Sequence, residues 1–110
     1  MRRIHCDPYE FDPPDSEQTL DLAIAAPSKR LPNLAALFAE VKTPNAQRLP
    51  PLDRDQWRVV ASHLAEFAGV SVPDPSAVRD AIVLQNDPDA VEIGIEFGSY
   101  LVWYRWFSSA

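Results

Sequence analysis

The chain is poor in glycine, cysteine and long apolar runs, and each shortage argues against a kind of protein or site. Only 3 of its 110 residues are glycine, and neither GxGxxG nor GxxxxGK[ST], the phosphate-binding patterns, occurs. A single cysteine, Cys6, excludes an intramolecular disulfide and favours a reducing compartment. No apolar run approaches the roughly 18 residues of a membrane helix, and the residues after Arg3 are too polar for a secretory signal. We therefore expect a cytoplasmic protein with no membrane segment.

Acidic residues outnumber basic ones, 16 to 10, which gives a net charge of −6. The excess lies at both ends: residues 1–28 and 70–110 each hold two basic and six acidic residues, whereas residues 29–69 hold six basic and four acidic ones. Such a protein is repelled by nucleic-acid phosphates and anionic lipid, and it attracts cationic partners. The charge predicts a basic protein partner rather than nucleic acid or a membrane.

The length of 110 residues is that of one globular domain, large enough to bury roughly two thirds of its unfolded surface. The 11 prolines fix extended backbone, so we interpret the proline-rich stretches 7–15 and 43–51 as loops of this domain and not as linkers. Residues 1–110 are therefore expected to form a single unit.

The strongest pattern is VEIGIEFGSYLVWYRWF, residues 91–107, which predicts a β-hairpin. Gly98-Ser99 separates two runs rich in β-branched and aromatic residues and suits a type II′ turn. If Phe97 faces Tyr100 across that turn, one face of the hairpin is wholly apolar. The expected pairs on that face are Ile95 with Val102, Ile93 with Tyr104 and Val91 with Trp106. A slip of one residue would move two glutamates into the core, so this register is strongly specified.

Two helices and a further strand are predicted before the hairpin. Residues 2–6 are compatible with a short strand, and TLDLAIA, residues 19–25, alternates as a half-buried strand that we expect beside the C-terminal sheet. Asn33 caps a helix from Leu34 to about Lys42, with Leu34, Leu37, Phe38 and Val41 on one stripe. Asp53, with Gln56 three residues on, begins a second helix that Gly69 ends.

Residues 75–85 allow two interpretations. Asp74 and Pro75 begin a helix that extends to Gln85, or the helix stops near Asp80 and residues 81–85 form a strand. We favour the strand, with Leu84 opposite Val91 and Ile82 opposite Ile93, because a third strand stabilises an otherwise marginal hairpin. The predicted class is thus α+β: two or three helices packed on one face of a small antiparallel sheet of three or four strands, with a C-terminal hairpin or meander.

The candidate reactive groups do not form a recognisable catalytic or metal site. His5, Cys6 and His63 are the only strong nitrogen and sulfur ligands, and adjacent residues rarely ligate one metal without a local turn. A Cys6–His63 nucleophile would require the N-terminal strand to reach the middle of the second helix. Glu92 and Glu96 share a face, but four strand residues separate their α-carbons by roughly 13 Å, too far for the ~5–9.5 Å of paired glycosidase carboxylates. We therefore expect a protein that is not an enzyme and that binds neither a metal ion nor a cofactor.

The second face of the hairpin is the candidate binding surface. Trp and Arg beside acidic groups have the composition of a protein-binding hot spot. This face carries Glu92, Glu96, Leu101, Trp103, Arg105 and Phe107, with Glu92 opposite Arg105 and Trp103 opposite Gly94. It is an open surface only if both helices pack on the Val91 side, and a helix that covers it is the alternative.

These features favour an acidic, cytoplasmic binding protein of the immunity or inhibitor type, which occupies a basic surface on a partner such as a nuclease-like toxin. The alternative is a structural or assembly subunit that self-associates as a homodimer through the hairpin face or a sheet edge.

Overall fold

The computed structural model describes residues 1–7 and 18–108. Most of the loop expected at residues 7–15 lies outside this part of the chain. The described elements, in chain order, are β1 (Arg2–Cys6), β2 (Gln18–Ala25), α1 (Leu34–Val41), α2 (Arg54–Ala68), a 3₁₀ turn (Pro75–Ala77), β3 (Asp80–Asp87), β4 (Ala90–Phe97) and β5 (Tyr100–Ser108).

The described strands form one antiparallel sheet in the order β1-β2-β5-β4-β3. The α+β class is therefore confirmed, and the sheet has five strands, more than the three or four that were expected. The strand predicted at residues 19–25 lies beside the hairpin, as β2 against β5, and β1 completes the sheet on its other side.

The register predicted for the hairpin is confirmed along its whole length. Phe97 pairs with Tyr100, Ile93 with Tyr104 and Glu92 with Arg105. Gly98 has φ of 52° and is, with Gly69, one of two glycines with positive φ in the described chain. Ser99 does not have a positive φ. This agrees with a type II′ turn, which has positive φ at its first central residue alone, whereas a type I′ turn has it at both.

Residues 81–85 are a strand, as favoured above, but their predicted register is wrong. Val83, and not Ile82, pairs with Ile93, and an irregularity between Val83 and Gln85 shifts the register of the remaining pairs. A one-residue slip exchanges the two faces of a strand. The side chain of Ile82 therefore lies on the sheet face that α1 covers, and the side chain of Val83 lies on the opposite face, which α2 covers.

Both helices begin and end where the sequence predicts. The Asn33 side chain accepts a hydrogen bond from the Ala36 N–H at 3.0 Å. Asp53 and Gln56 form the reciprocal capping box, and Gly69, with φ of 66°, ends α2 in the left-handed conformation. These local signals are independent of how the helices pack.

The expectation that both helices pack on one face of the sheet is wrong, because they cover opposite faces. On one face, Trp57, Val60 and Leu64 of α2 pack in a core with the apolar face of the hairpin. On the other face, Leu34 and Leu37 of α1 pack in a second core with Leu101 and Trp103. The sheet is therefore the middle of three layers, and the hairpin face proposed as a binding surface lies partly under α1.

Candidate functional site

Three of the six predicted binding residues lie in the interior. Glu92 and Leu101 are 0% exposed and Trp103 is 4% exposed, because α1 and the connector that follows it cover them. Glu96 is half-buried and forms an ion pair with Arg79 at 3.5 Å. An exposed hot spot centred on Trp103 is therefore excluded, and the alternative, in which a helix covers this face, is the observed arrangement.

Gly94, which has no side chain, leaves the space into which α1 packs on the sheet. Gly94 sits opposite Trp103 in the hairpin, and a β-carbon at Gly94 would overlap the ring of Phe38 on α1. The ring occupies the space above the glycine. Leu34 lies against the same position, so α1 packs directly over the β4–β5 pair.

Glu92 is the one buried charged residue in the described chain. Its Oε2 accepts hydrogen bonds from the Thr43 hydroxyl and the Trp103 indole N–H, both at 2.6 Å, and its Oε1 accepts one from the Asn45 side-chain amide at 2.5 Å. All three donors are neutral. A fully buried carboxylate requires such donors, since its desolvation is otherwise costly. Glu92 thus fixes the connector after α1 onto the sheet.

Arg105 does not form the ion pair with Glu92 that their cross-strand position suggests. Its guanidinium lies over the ring of Phe107, 5.4 Å from the ring centroid, and both side chains are half-buried. They belong to the part of this sheet face that the α1 core does not include. Arg105 and Phe107 are thus the predicted binding residues that remain accessible together.

The accessible end of the sheet is strongly acidic. The turn Asp87-Pro88-Asp89, which we call the acidic turn, joins β3 to β4, and all three residues are exposed. Asp89 is tied to the end of β5, because its carbonyl accepts a hydrogen bond from the Ser108 N–H at 2.8 Å. Phe107 lies near this turn, opposite Ala90.

The ion pairs between described residues leave the acidic turn uncompensated. Four arginines are paired with carboxylates elsewhere: Arg30 with Glu40, Arg48 with Asp80, Arg58 with Asp55 and Arg79 with Glu96. Neither Asp87 nor Asp89 takes part in such a pair. The negative charge of the molecule is therefore locally unbalanced at this turn.

The groups considered for nucleophilic chemistry lie in or beside the core that α2 covers, because β1 does reach this helix. Cys6 is buried, with 1% of its surface exposed. His63 lies on α2, where its Nδ1 is hydrogen-bonded to the Tyr104 hydroxyl at 2.7 Å. Desolvation lowers the pKa of His63 and raises that of Tyr104. Both shifts favour the neutral forms, which suits a hydrogen bond inside the α2 core.

The sequence contains a signal for the helix that covers the second sheet face, which was given only as the alternative, and for the buried polar contacts of Glu92, which were missed. The apolar character of Ala23, Ala25 and Leu101 on the second sheet face indicates that a helix covers it, since an exposed face would be more polar. The polar pair Thr43 and Asn45, which follows α1, supplies the donors to Glu92. Recognising that pair requires knowing where α1 packs, and this is a long-range property of the fold.

Comparison with family models, curated proteins and solved structures finds no match to this chain. In the described part of the chain, neither helix has the length and apolar character needed to cross a membrane.

Proposed function

We propose that this chain is an acidic protein-binding module of the immunity or inhibitor type, which occupies a basic surface on another protein. One observation carries the proposal: Asp87 and Asp89 are exposed at one turn and are not neutralised by any ion pair between described residues. Exposed charge of one sign steers a partner of opposite charge and increases its association rate.

The proposed surface combines the acidic turn with the accessible part of the hairpin face, which carries Arg105 and Phe107. Phe107 and Arg105 lie in the same part of the sheet, and both residue types are enriched at protein interfaces. Charge on the turn supplies steering, and the aromatic ring supplies short-range contact. The surface thus lies at the end of the sheet that carries the β3–β4 turn, and not over Trp103.

Binding is a better account of these residues than catalysis. The carboxylate of Glu92 is fully buried and accepts three hydrogen bonds from the protein itself, so it is not positioned to reach a substrate. Cys6 is also buried. We place the protein in the cytoplasm, because its single cysteine suits a reducing compartment.

An affinity capture from the host's lysate tests the proposal with matched charge reversals. The test variant changes Asp87 and Asp89 to Lys. The control changes Glu66 and Asp74, two exposed carboxylates elsewhere, to Lys, which alters the net charge equally. We expect the native chain and the control to recover the same basic protein, and the test variant to bind it at least tenfold more weakly. Binding should also weaken as salt rises, because exposed charges are screened.

Equal binding by the two variants would contradict the role of the acidic turn. Mass that rises with protein concentration, without a captured partner, would favour the self-association alternative. Self-association through Trp103 is not open to the folded chain, since Trp103 is buried against α1 and its neighbours. Pairing through a sheet edge is the remaining form of that alternative, and the capture experiment distinguishes it from the proposed binding.

A further inference from the structure

The α2 face of the sheet has a groove beside the acidic turn. It is a concavity of about 300 Å³ between Val59 and Val60 of α2, Val91, Tyr104 and Trp106 of the sheet, and Asp87 on its rim. Val59 is 50% exposed, although it is apolar. An exposed apolar side chain is unremarkable when isolated, but this one forms the wall of a groove.

The size and chemistry of the groove limit what it can hold. Its volume is at the lower end of the ~300–1,000 Å³ typical of ligand pockets, so one large side chain fits it better than a cofactor. Its sheet and helix walls are mainly hydrocarbon and aromatic. Its residues include an aspartate and no basic residue, so a cation is favoured beside the apolar group and a carboxylate is disfavoured.

Another concavity, beside the start of α2, lacks this combination. It is lined by Asp53 and Asp74 but also by Arg54 and Arg58, so it has no electrostatic preference of one sign.

A third concavity, between β3 and the connector after α1, also includes Asp87 and no basic residue, but most of its lining side chains are polar, among them Asn45, Gln47 and Gln85. The groove beside the acidic turn differs from both, because its walls are mainly apolar and the charge at its rim is negative.

We propose that the groove binds one large apolar side chain, such as leucine or phenylalanine, presented by a basic segment of the partner protein. This inference rests on the proposed function and adds the anchor that gives it specificity. The acidic turn attracts the flanking lysines or arginines, while burial of the apolar side chain against Val59 and Trp106 slows dissociation.

Two capped peptides test the groove directly: Lys-Lys-Leu-Lys-Lys and Lys-Lys-Gly-Lys-Lys. Binding is measured by titration into the ¹⁵N-labelled full chain at low salt. The Trp106 indole N–H, which donates to Gln18 at 2.9 Å, is a reporter on the groove wall. Burying a leucine side chain predicts that the leucine peptide binds roughly tenfold more tightly than the glycine peptide. We expect shifts at Val59, Val91 and Trp106 from the leucine peptide alone.

A matched pair of variants isolates the apolar contact. Val59→Ser should remove most of the preference for the leucine peptide. Tyr100→Ser replaces a similarly exposed apolar side chain, 44% exposed, at the β4–β5 turn, which lies at the opposite end of the hairpin from the groove, and it should leave the preference intact. Both positions are on the surface, so both variants should fold. Changing Asp87 and Asp89 to Asn should weaken both peptides alike and keep their ratio.

The outcomes separate the groove from the proposed function. Equal affinity for the two peptides, with shifts confined to the acidic turn, would overturn the groove and leave the function standing. Loss of the leucine preference in Tyr100→Ser as well as Val59→Ser would also overturn the groove. If neither peptide shifts the acidic turn, both the groove and the charge-based function are wrong.

Discussion

The two faces of the sheet are built by different means. The 15-residue helix α2 covers one face with an interior in which almost every side chain is apolar. The 8-residue helix α1 covers part of the other face. The interior there includes Gly94, over which the Phe38 ring packs, and the buried carboxylate of Glu92. A long amphipathic helix can complete a core by periodicity alone. A short helix covers less area, so the connector after it must complete the burial with polar contacts.

The difference also concerns how each face tolerates change. Apolar packing on the α2 face is non-directional, so similar side chains can replace one another at modest cost. The contacts of Glu92 on the α1 face are directional, and each buried donor left without an acceptor is destabilising. We therefore expect polar-to-apolar substitutions to separate the two faces more clearly than apolar truncations do.

The largest effect is expected from Glu92→Leu. The substitution keeps a side chain of similar size but leaves the donors of Thr43, Asn45 and Trp103 without their acceptor. The indole N–H of Trp103 is buried and cannot turn to water, whereas the other two donors are only half-buried. At about 1–3 kcal/mol for each unsatisfied buried donor, we expect the free energy of unfolding to fall by about 3 kcal/mol in urea denaturation.

Glu96→Leu is the matched control, on the same strand and the same face. Glu96 is half-buried, and its partner Arg79 is largely exposed, so the loss of this ion pair should cost no more than about 1 kcal/mol. Equal effects from the two substitutions, or greater stability in Glu92→Leu, would show that the polar contacts do not support the α1 face.

A smaller effect is expected from Gly94→Ala, which adds the β-carbon that would overlap Phe38. Overfilling a packed interior costs about 1–3 kcal/mol. Because the Phe38 ring is only partly buried and can shift, we expect a loss near 1 kcal/mol. Combining Gly94→Ala with Phe38→Val should cost less than the sum of the two single changes, since the smaller side chain leaves room. Additive losses would mean that the ring does not pack on this glycine.

The same contrast explains what the sequence could predict. The hairpin register, the helix caps and β2 followed from local periodicity and turn chemistry, and all are confirmed. The side on which α1 packs depends on the fit between Phe38 and Gly94, more than fifty residues apart in the chain, and no local pattern specifies it. The register of β3 failed for a related reason, because the irregularity near Leu84 moves Ile82 to the other face.

Whether the predicted binding residues of the hairpin are exposed also depends on the sheet face on which α1 packs. Trp103, Arg105 and Glu92 do have the composition of an interface, but composition does not distinguish an exposed face from one that a helix covers. Asp87 and Asp89 were not among the predicted binding residues, because their significance comes from the internal pairing of the arginines, which is a property of the folded molecule.

The smallest effect is expected on the α2 face, where the polar contact joins His63 and Tyr104. Desolvation lowers the pKa of His63 below its ordinary value of 6.5, so the unfolded chain binds this proton more readily than the folded one. The contribution of His63 to the free energy of unfolding should therefore be fully present above pH 6.5 and should be lost as the pH falls from 6.5 through the folded-state pKa of His63. Urea denaturation at several pH values, compared between the native chain and His63→Gln, measures this contribution, because the contributions of His5 and the carboxylates are common to both proteins. We expect the native chain to lose more stability than the variant over this interval. Parallel curves would show that the imidazole is no more desolvated in the folded state than in the unfolded one.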